Sequence, residues 1–140
     1  MKSFELAQPR SEAEALELLN GGGKSTAALA GGTDLMRLMR RELLTPERVV
    51  NLKEVAEFQG IQPADGGVMI GALTTLETIA QSALLKEYAV LEHVLDGIRA
   101  LQIQSSGTIG VYLCLLPNCW YSRNSYGLLA MESGESLVET

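Results

Sequence analysis

The chain has few residues of the kinds that build metal sites and disulfide frameworks. Its 140 residues include two cysteines, Cys114 and Cys119, and one histidine, His93. Two cysteines are too few for a disulfide framework, and they cannot supply the four ligands of an iron–sulfur cluster. We interpret both as structural thiols. His93 has no second candidate ligand nearby, so we interpret it as an ordinary surface or packing residue, and the sequence predicts no metal site.

Long apolar runs and an excess of positive charge are also missing. No run approaches the ~20 apolar residues of a transmembrane helix, and residues 1–5 lack the apolar part of a secretory signal. Seventeen acidic and eleven basic residues give a net charge of −6, which argues against nucleic acid or an anionic membrane as the main partner. We therefore expect a cytoplasmic protein that binds neither nucleic acid nor membrane.

What is present is typical of a folded globular protein, with 46% hydrophobic and 20% charged residues. The length fits one domain or two small subdomains. Five basic residues cluster between positions 37 and 53, which indicates either a solvated helix face or a patch that attracts phosphate. They are Arg37, Arg40, Arg41, Arg48 and Lys53.

The most informative stretch is the glycine pair at Gly31 and Gly32. A small-residue apolar run at 26–29 precedes it and residues 35–39 follow with helical spacing, so the pattern predicts a strand, a tight turn and a helix. Glycines let backbone N–H groups approach a bulky anion, and Thr33 adds a hydroxyl at the start of the helix. The alternative is a plain turn in which Thr33 or Asp34 caps the helix.

The pattern around this turn predicts a β-α-β-α-β unit, in which a capping box at 11–14 starts the first helix and the last strand begins at Arg48. Asp65-Gly66 predicts a hairpin, and Thr74 to Glu77 form a second capping box. Helical spacing predicts one helix over residues 88–101. A second small-residue loop at 105–110 precedes a predicted strand over 111–116, and it reads either as a bend or as a second support for a phosphate ligand.

Three segments together resemble a known family. Ala30-Gly31-Gly32-Thr33-Asp34-Leu35, residues 70–76 and Gly107-Thr108-Ile109-Gly110 occur in the order found in the FAD-binding subunit or domain of molybdenum hydroxylases. That family includes xanthine dehydrogenase and the medium subunit of carbon monoxide dehydrogenase. The resemblance runs from near residue 1 to about residue 123, and it covers only the N-terminal half of such a protein.

The resemblance implies an α+β fold of two small α/β subdomains, residues 1–55 and 56–140, with an FAD cleft between them. It implies FAD as the cofactor, and a molybdenum-cofactor subunit and an iron–sulfur subunit as partners. Electrons would pass from iron–sulfur clusters through FAD to an acceptor, and no residue of this chain is expected to act as a catalytic acid, base or nucleophile. The implied cofactor-binding residues are Ala30, Gly31, Gly32, Thr33, Asp34, Leu35, Thr108, Ile109, Gly110 and Tyr112.

One departure from the family supports a second hypothesis. Val111-Tyr112 stands where the family usually has Gly-Asn, and the Val111 side chain adds bulk where backbone would approach the ligand. A complete family member also continues for about as long again. The second hypothesis is therefore a truncated, non-catalytic relative that has lost FAD and serves as a binding or assembly module, with a homodimer covering its apolar surface.

Overall fold

The first part of the chain forms a small parallel sheet with two helices. The computed structural model describes residues 1–20, 25–115, 131–132 and 135–136. Its first elements are β1 (Glu5–Ala7), α1 (Glu12–Asn20), β2 (Thr26–Leu29), α2 (Leu35–Arg40) and β3 (Arg48–Asn51). The sheet order is β1-β3-β2 with both pairings parallel, which confirms the predicted β-α-β-α-β unit.

The next part is a hairpin followed by short helices. Two 3-10 turns connect it to the first sheet, at Leu52–Glu54 and Ala56–Phe58, and a third lies at Ala83–Leu85. The remaining elements are β4 (Ile61–Ala64), β5 (Gly67–Ile70), α3 (Leu76–Gln81), α4 (Ala89–Asp96), α5 (Leu101–Ser106), α6 (Ile109–Leu113), β6 (Met131–Glu132) and β7 (Glu135–Ser136). Gly66 adopts a φ of +77° between β4 and β5, as the Asp-Gly signal predicts. None of the helices in the described residues is long and apolar enough to cross a bilayer.

Each part has its own buried side chains. In the first part, α1 packs against β2 and β3, and Ala15, Met39, Val49 and Val50 are buried. In the second part, α3 packs against α4 and α5. Its core cluster consists of Leu76, Ile79, Leu85 and Leu95. The mixed α+β architecture agrees with the expected fold class, whereas the exact subdomain boundary at residues 55 and 56 stays a prediction.

The predicted strand over 111–116 is wrong, because residues 111–113 belong to helix α6 and neither 114 nor 115 is in a strand; residue 116 lies outside the described residues. The N–H groups of Val111 and Tyr112 donate to the Thr108 carbonyl, and the Cys114 N–H donates to Gly110 at 3.1 Å. Long-range bonds fix where the helix starts, since the Ile109 and Gly110 N–H groups donate to carbonyls of residues 74 and 72. Tertiary contacts thus override the strand propensity of a Val-Tyr-Leu sequence.

The single helix predicted over 88–101 is also wrong. Helix α4 ends at Asp96, followed by Gly97, and a separate helix α5 begins after Ala100. Ala100 is extended, with φ −81° and ψ 108°, so the helical hydrogen bonds cannot continue through it. The apolar spacing of this segment is therefore shared between two short helices.

The first capping box is confirmed at the Ser11 hydroxyl, and the cap of the second helix lies one residue later than predicted. Ser11 caps α1 by accepting from the Glu14 N–H at 3.3 Å, but the Glu14 carboxylate accepts from the Arg10 N–H at 2.9 Å. Helix α3 is capped by Thr75 and not by Thr74. The Thr75 hydroxyl accepts from the Thr78 N–H at 3.2 Å, whereas the Thr74 hydroxyl donates to the Gly60 carbonyl at 3.0 Å.

Candidate functional site

A small polar cleft lies between the glycine turn and the second small-residue loop. Because Leu29 pairs with Asn51 in a parallel ladder, β2 and β3 end at the same edge of the sheet, which is where ligands bind in open α/β sheets. The cleft has a volume of about 230 Å³. It is lined by Ala30, Gly31, Lys53, Gln59, Leu73, Thr75, Ser105, Ser106 and Thr108.

The glycine turn offers a row of unpaired backbone donors. The N–H groups of residues 31–35 donate to no acceptor among the described residues. Gly32 has a φ of +80°, which glycine adopts without strain. Gly31 is held close to the second loop, since a Cβ there would lie 1.8 Å from the Ser106 carbonyl oxygen. The turn therefore combines free donors with a close approach to the opposite wall of the cleft.

The acidic residue in the turn does not cap the helix. Asp34 makes no side-chain capping bond to α2, and its carboxylate accepts a hydrogen bond from the Arg37 guanidinium instead. The Arg37 guanidinium thereby neutralises the negative charge that the Asp34 carboxylate carries next to the turn. The free N–H groups at the start of α2 are consequently left without a side-chain acceptor.

The second loop supplies fewer donors than its sequence indicates. The Gly107, Ile109 and Gly110 N–H groups donate to the carbonyls of Ile103, Thr74 and Ala72 at distances of 2.7 to 3.0 Å. The Thr108 N–H group, by contrast, donates to no acceptor in the part of the chain that the structure describes. Thr108 is only 4% exposed, and its Oγ1 atom has no hydrogen-bond partner among the described residues.

An orphaned hydroxyl of this kind points to a missing partner. A buried polar atom without a hydrogen bond costs about 1–3 kcal/mol, so most such atoms in folded proteins are paired. Thr108 is one of the residues that line the cleft, and its buried hydroxyl makes no hydrogen bond to any described residue. A ligand with acceptor oxygens would satisfy both the Thr108 hydroxyl and the N–H groups of the glycine turn.

A larger apolar cavity adjoins the polar cleft, and the two share the lining residues Ala30 and Leu73. Its volume is about 480 Å³. The predicted site residues Asp34, Leu35 and Gly110 line this cavity, together with Val111. Among the predicted site residues, Ala30, Gly31 and Thr108 therefore line the polar cleft, and the others just named line the apolar cavity. Gly32 and Thr33 complete the turn between them.

Two predicted site residues face elsewhere. Ile109 and Tyr112 pack against the core cluster of α3 and α4. Burial raises the pKa of the Tyr112 phenol above its ordinary value of 10.0. Ile109 and Tyr112 are three residues apart in α6, so the helix directs both of them to the core. Of the predicted site residues in the second loop, only Thr108 lines the polar cleft.

The site residues named from the sequence leave out six of the lining residues: Lys53, Gln59, Leu73, Thr75, Ser105 and Ser106. The sequence analysis did place Lys53 in a basic cluster and Ser105 and Ser106 in the second small-residue loop, each with phosphate binding as one of two alternatives. A signal for Lys53 was available, because it follows the carboxyl end of β3 just as the glycine turn follows that of β2. Parallel neighbours with aligned ends bring such residues to one edge. The others come from the hairpin connection and from α5, whose placement depends on tertiary contacts.

Comparison with known proteins places this geometry in a family. Residues 2–115 match the family model described as the FAD binding domain in molybdopterin dehydrogenase. The chain belongs to this family. The match spans both walls of the cleft and confirms the predicted resemblance.

Similar proteins include the medium chains of two dehydrogenases. The chain is 35% identical over 109 residues to the carbon monoxide dehydrogenase medium chain of Afipia carboxidovorans, covering 77% of this chain and 38% of the relative. It is 30% identical over 108 residues to the glyceraldehyde dehydrogenase medium chain of Sulfolobus acidocaldarius, covering 76% and 38%. The chain therefore spans less than two fifths of the length of these relatives.

A solved structure supports the same assignment. Reconstituted CO dehydrogenase from Oligotropha carboxidovorans matches with a TM-score of 0.76 and 34% identity, covering 79% of this chain and 39% of that one. Family membership supports FAD as the cofactor. The residues present fit the phosphate part of such a ligand, because Gly31 and Thr108 line one cleft, and the Thr108 hydroxyl is a buried donor without a partner among the described residues.

Proposed function

We propose that this chain is an FAD-binding electron-transfer module of a molybdenum-hydroxylase-type oxidoreductase. The observation that carries the proposal is the unpaired Thr108 hydroxyl, buried in a cleft whose opposite wall is the glycine turn. The family match supports FAD, and it gives the donors of the cleft a ligand of suitable chemistry.

In this proposal the first loop binds by its backbone. Ala30 to Asp34 lie along the pyrophosphate, with the N–H groups of residues 31–34 as donors and the Thr33 hydroxyl beside them. Thr108 binds from the second loop. Leu35 and Gly110 extend the contact into the adjoining apolar cavity. The polar cleft is smaller than the ~300–1,000 Å³ of a typical small-molecule pocket, so it would hold only part of the dinucleotide.

When bound, FAD supplies the redox chemistry, and the protein supplies binding and orientation. Relatives named medium chains of carbon monoxide and glyceraldehyde dehydrogenases support a role within a larger enzyme. We propose a molybdenum-cofactor subunit and an iron–sulfur subunit as partners. The module would then conduct electrons from the iron–sulfur subunit to an acceptor such as NAD.

The experiment is a titration of the purified chain with FAD, followed by flavin fluorescence, in the wild type and in Gly32→Asp. The substitution places a negative charge in the turn, so we expect FAD affinity to fall at least about tenfold, or about 1.4 kcal/mol. Gly66→Asp is the matched control, because Gly66 has nearly the same φ, +77° against +80°, and lies in the β4–β5 hairpin. Equal FAD affinity in Gly32→Asp and wild type would contradict the proposal.

A second candidate function is favoured by exposed apolar side chains. Val90, Leu101 and Leu113 are 69%, 75% and 79% exposed. Val111, two residues before Leu113, lines the large apolar cavity. A binding or assembly module that holds no FAD would cover this surface with a second copy of the chain. Light scattering tests the homodimer: a strict monomer at high concentration, together with tight FAD binding, would rule this candidate out.

A further inference from the structure

The polar cleft contains a single charged side chain. Among the described residues that line it, Lys53 alone is ionisable, and the others are apolar, hydroxyl or amide residues or glycine. Lys53 makes no ion pair with any described residue. Two other members of the basic cluster are paired instead, since Arg37 binds Asp34 and Arg48 binds Glu5.

The backbone of Lys53 is held at both of its polar groups. Its N–H donates to the Asn51 side-chain oxygen at 3.3 Å, and its carbonyl accepts from the Gln59 amide at 2.8 Å. Asn51 is the last residue of β3, and Gln59 itself lines the cleft. The start of the lysine side chain is therefore fixed at the edge of the sheet where the glycine turn also lies, while its ammonium group stays free to reach a ligand.

From this placement we infer that Lys53 supplies the positive charge that binds a phosphate of the ligand. The inference rests on the proposed FAD function and adds a residue that the sequence motifs do not contain. Backbone N–H groups and the Thr108 hydroxyl are neutral donors, and they leave the charge of a pyrophosphate uncompensated within a chain of net charge −6. An ammonium group in the same cleft compensates it, and a charge-assisted hydrogen bond is about twice as strong as a neutral one.

The test compares FAD with riboflavin, which has the same ring system and no phosphate. Dissociation constants are measured for the wild type, Lys53→Gln, Lys53→Arg and Lys86→Gln. Lys86 is the matched control, because it is another surface lysine and lines a separate cavity between α3 and α4. We expect Lys53→Gln to weaken FAD binding about tenfold, which corresponds to about 1.4 kcal/mol, and to leave riboflavin binding unchanged.

Two further readouts separate charge from structure. Lys53→Arg should retain FAD affinity to within about threefold because it keeps the charge. The salt dependence of FAD binding should be weaker in Lys53→Gln than in the wild type, since a phosphate contact is screened by salt. Lys86→Gln should match the wild type in each measurement.

The possible failures are distinguishable. Unchanged FAD affinity in Lys53→Gln would overturn the inference and leave the proposed function standing. Equal weakening of FAD and riboflavin would also overturn it, because that result indicates a structural role for Lys53. A wild-type chain that binds neither compound would overturn the proposed function and the inference together.

Discussion

The two glycine-containing segments of this chain look alike in sequence and differ in what their backbones are free to do. Five consecutive N–H groups at residues 31–35 have no acceptor among the described residues. At residues 107–110, three of four N–H groups already donate to carbonyls of the chain. The first segment can therefore bind a ligand with its backbone. The second segment is hydrogen-bonded to the connection between β5 and α3, and it contributes one residue to the cleft wall, Thr108, that keeps its donors.

This difference shows that a glycine can serve a ligand or serve the fold. A Cβ on Gly110 would lie 2.8 Å from the Ala72 carbonyl oxygen, so Gly110 allows the start of α6 to pack against the chain before α3. Gly31 allows the two segments themselves to meet, and Gly32 allows the turn. The roles of these three glycines follow from the atoms around each of them, and the sequence pattern of glycines does not contain that information.

The largest effect is expected from Gly31→Ala, which attacks the contact between the two segments. The added Cβ would lie 1.8 Å from the Ser106 carbonyl oxygen, and a backbone atom cannot move aside as a flexible side chain can. We expect a loss of about 3 kcal/mol in the free energy of unfolding, seen as a fall of about 10 °C in Tm. FAD affinity should fall as well, because the cleft opens.

Gly67→Ala is the control for that measurement. The nearest atom to a Cβ at Gly67 is the Tyr88 hydroxyl oxygen at 3.8 Å, which is ordinary contact. This variant should unfold within a few degrees of the wild type. If Gly31→Ala were as stable as Gly67→Ala, the two segments would not be in contact and the cleft between them would not exist as described.

Thr108→Val is expected to have opposite effects on stability and on binding. The substitution keeps the shape of the side chain and removes a buried hydroxyl that has no partner. Without ligand, we expect a gain of about 1 kcal/mol in the free energy of unfolding, because the unsatisfied group is gone. With FAD, affinity should fall about tenfold, since the ligand loses its hydrogen bond to that hydroxyl.

Thr26→Val is the matched control, because Thr26 carries the other buried hydroxyl without a partner among the described residues. Thr26 starts β2, whereas the cleft lies beyond the opposite end of that strand. This variant should gain stability and keep its FAD affinity. An unchanged FAD affinity in Thr108→Val would show that the hydroxyl is not a ligand contact.

Much of the fold could be predicted because its signals are local. The Asp-Gly hairpin, the Ser11 cap of α1 and the alternation of strands and helices in the first 51 residues each depend on neighbours in the chain. Helix α6 could not be predicted in this way. Its start is set by bonds from Ile109 and Gly110 to residues far away in sequence, so the β-branched and aromatic residues that follow it were misleading.

The same limit applies to the site. Gly31 and Thr108 were predicted because they belong to motifs, and both line the cleft. Lys53 was grouped with four arginines as either a solvated face or a patch that attracts phosphate, and the sequence did not decide between them, because the parallel register of β2 and β3 is what brings Lys53 to the glycine turn. Ile109 and Tyr112 were included because they belong to the second family motif and its continuation, yet the rotation of a helix separates sequence neighbours in space, and both pack against the core cluster.

The smallest effect is expected from Tyr112→Phe, which tests whether the second segment binds with more than Thr108. Burial raises the pKa of the Tyr112 phenol, so the folded state favours the neutral form. The resulting stability is present below the ordinary pKa of about 10 and is lost as pH rises through the higher folded value. Tyr112→Phe should reduce the alkaline loss of stability and change FAD affinity less than about twofold.

Tyrosinate absorbance during an alkaline titration, with and without FAD, decides where Tyr112 lies. The contribution of Tyr112 to this titration is the difference between the wild type and Tyr112→Phe. If Tyr112 packs only against the core cluster, that contribution will be the same with and without FAD. If FAD shifts the Tyr112 contribution, the phenol contacts the cofactor. The second segment then binds through the core-facing side of α6 as well as through Thr108. Both segments would then contact the ligand, and they would differ only in how many hydrogen-bond donors each of them offers.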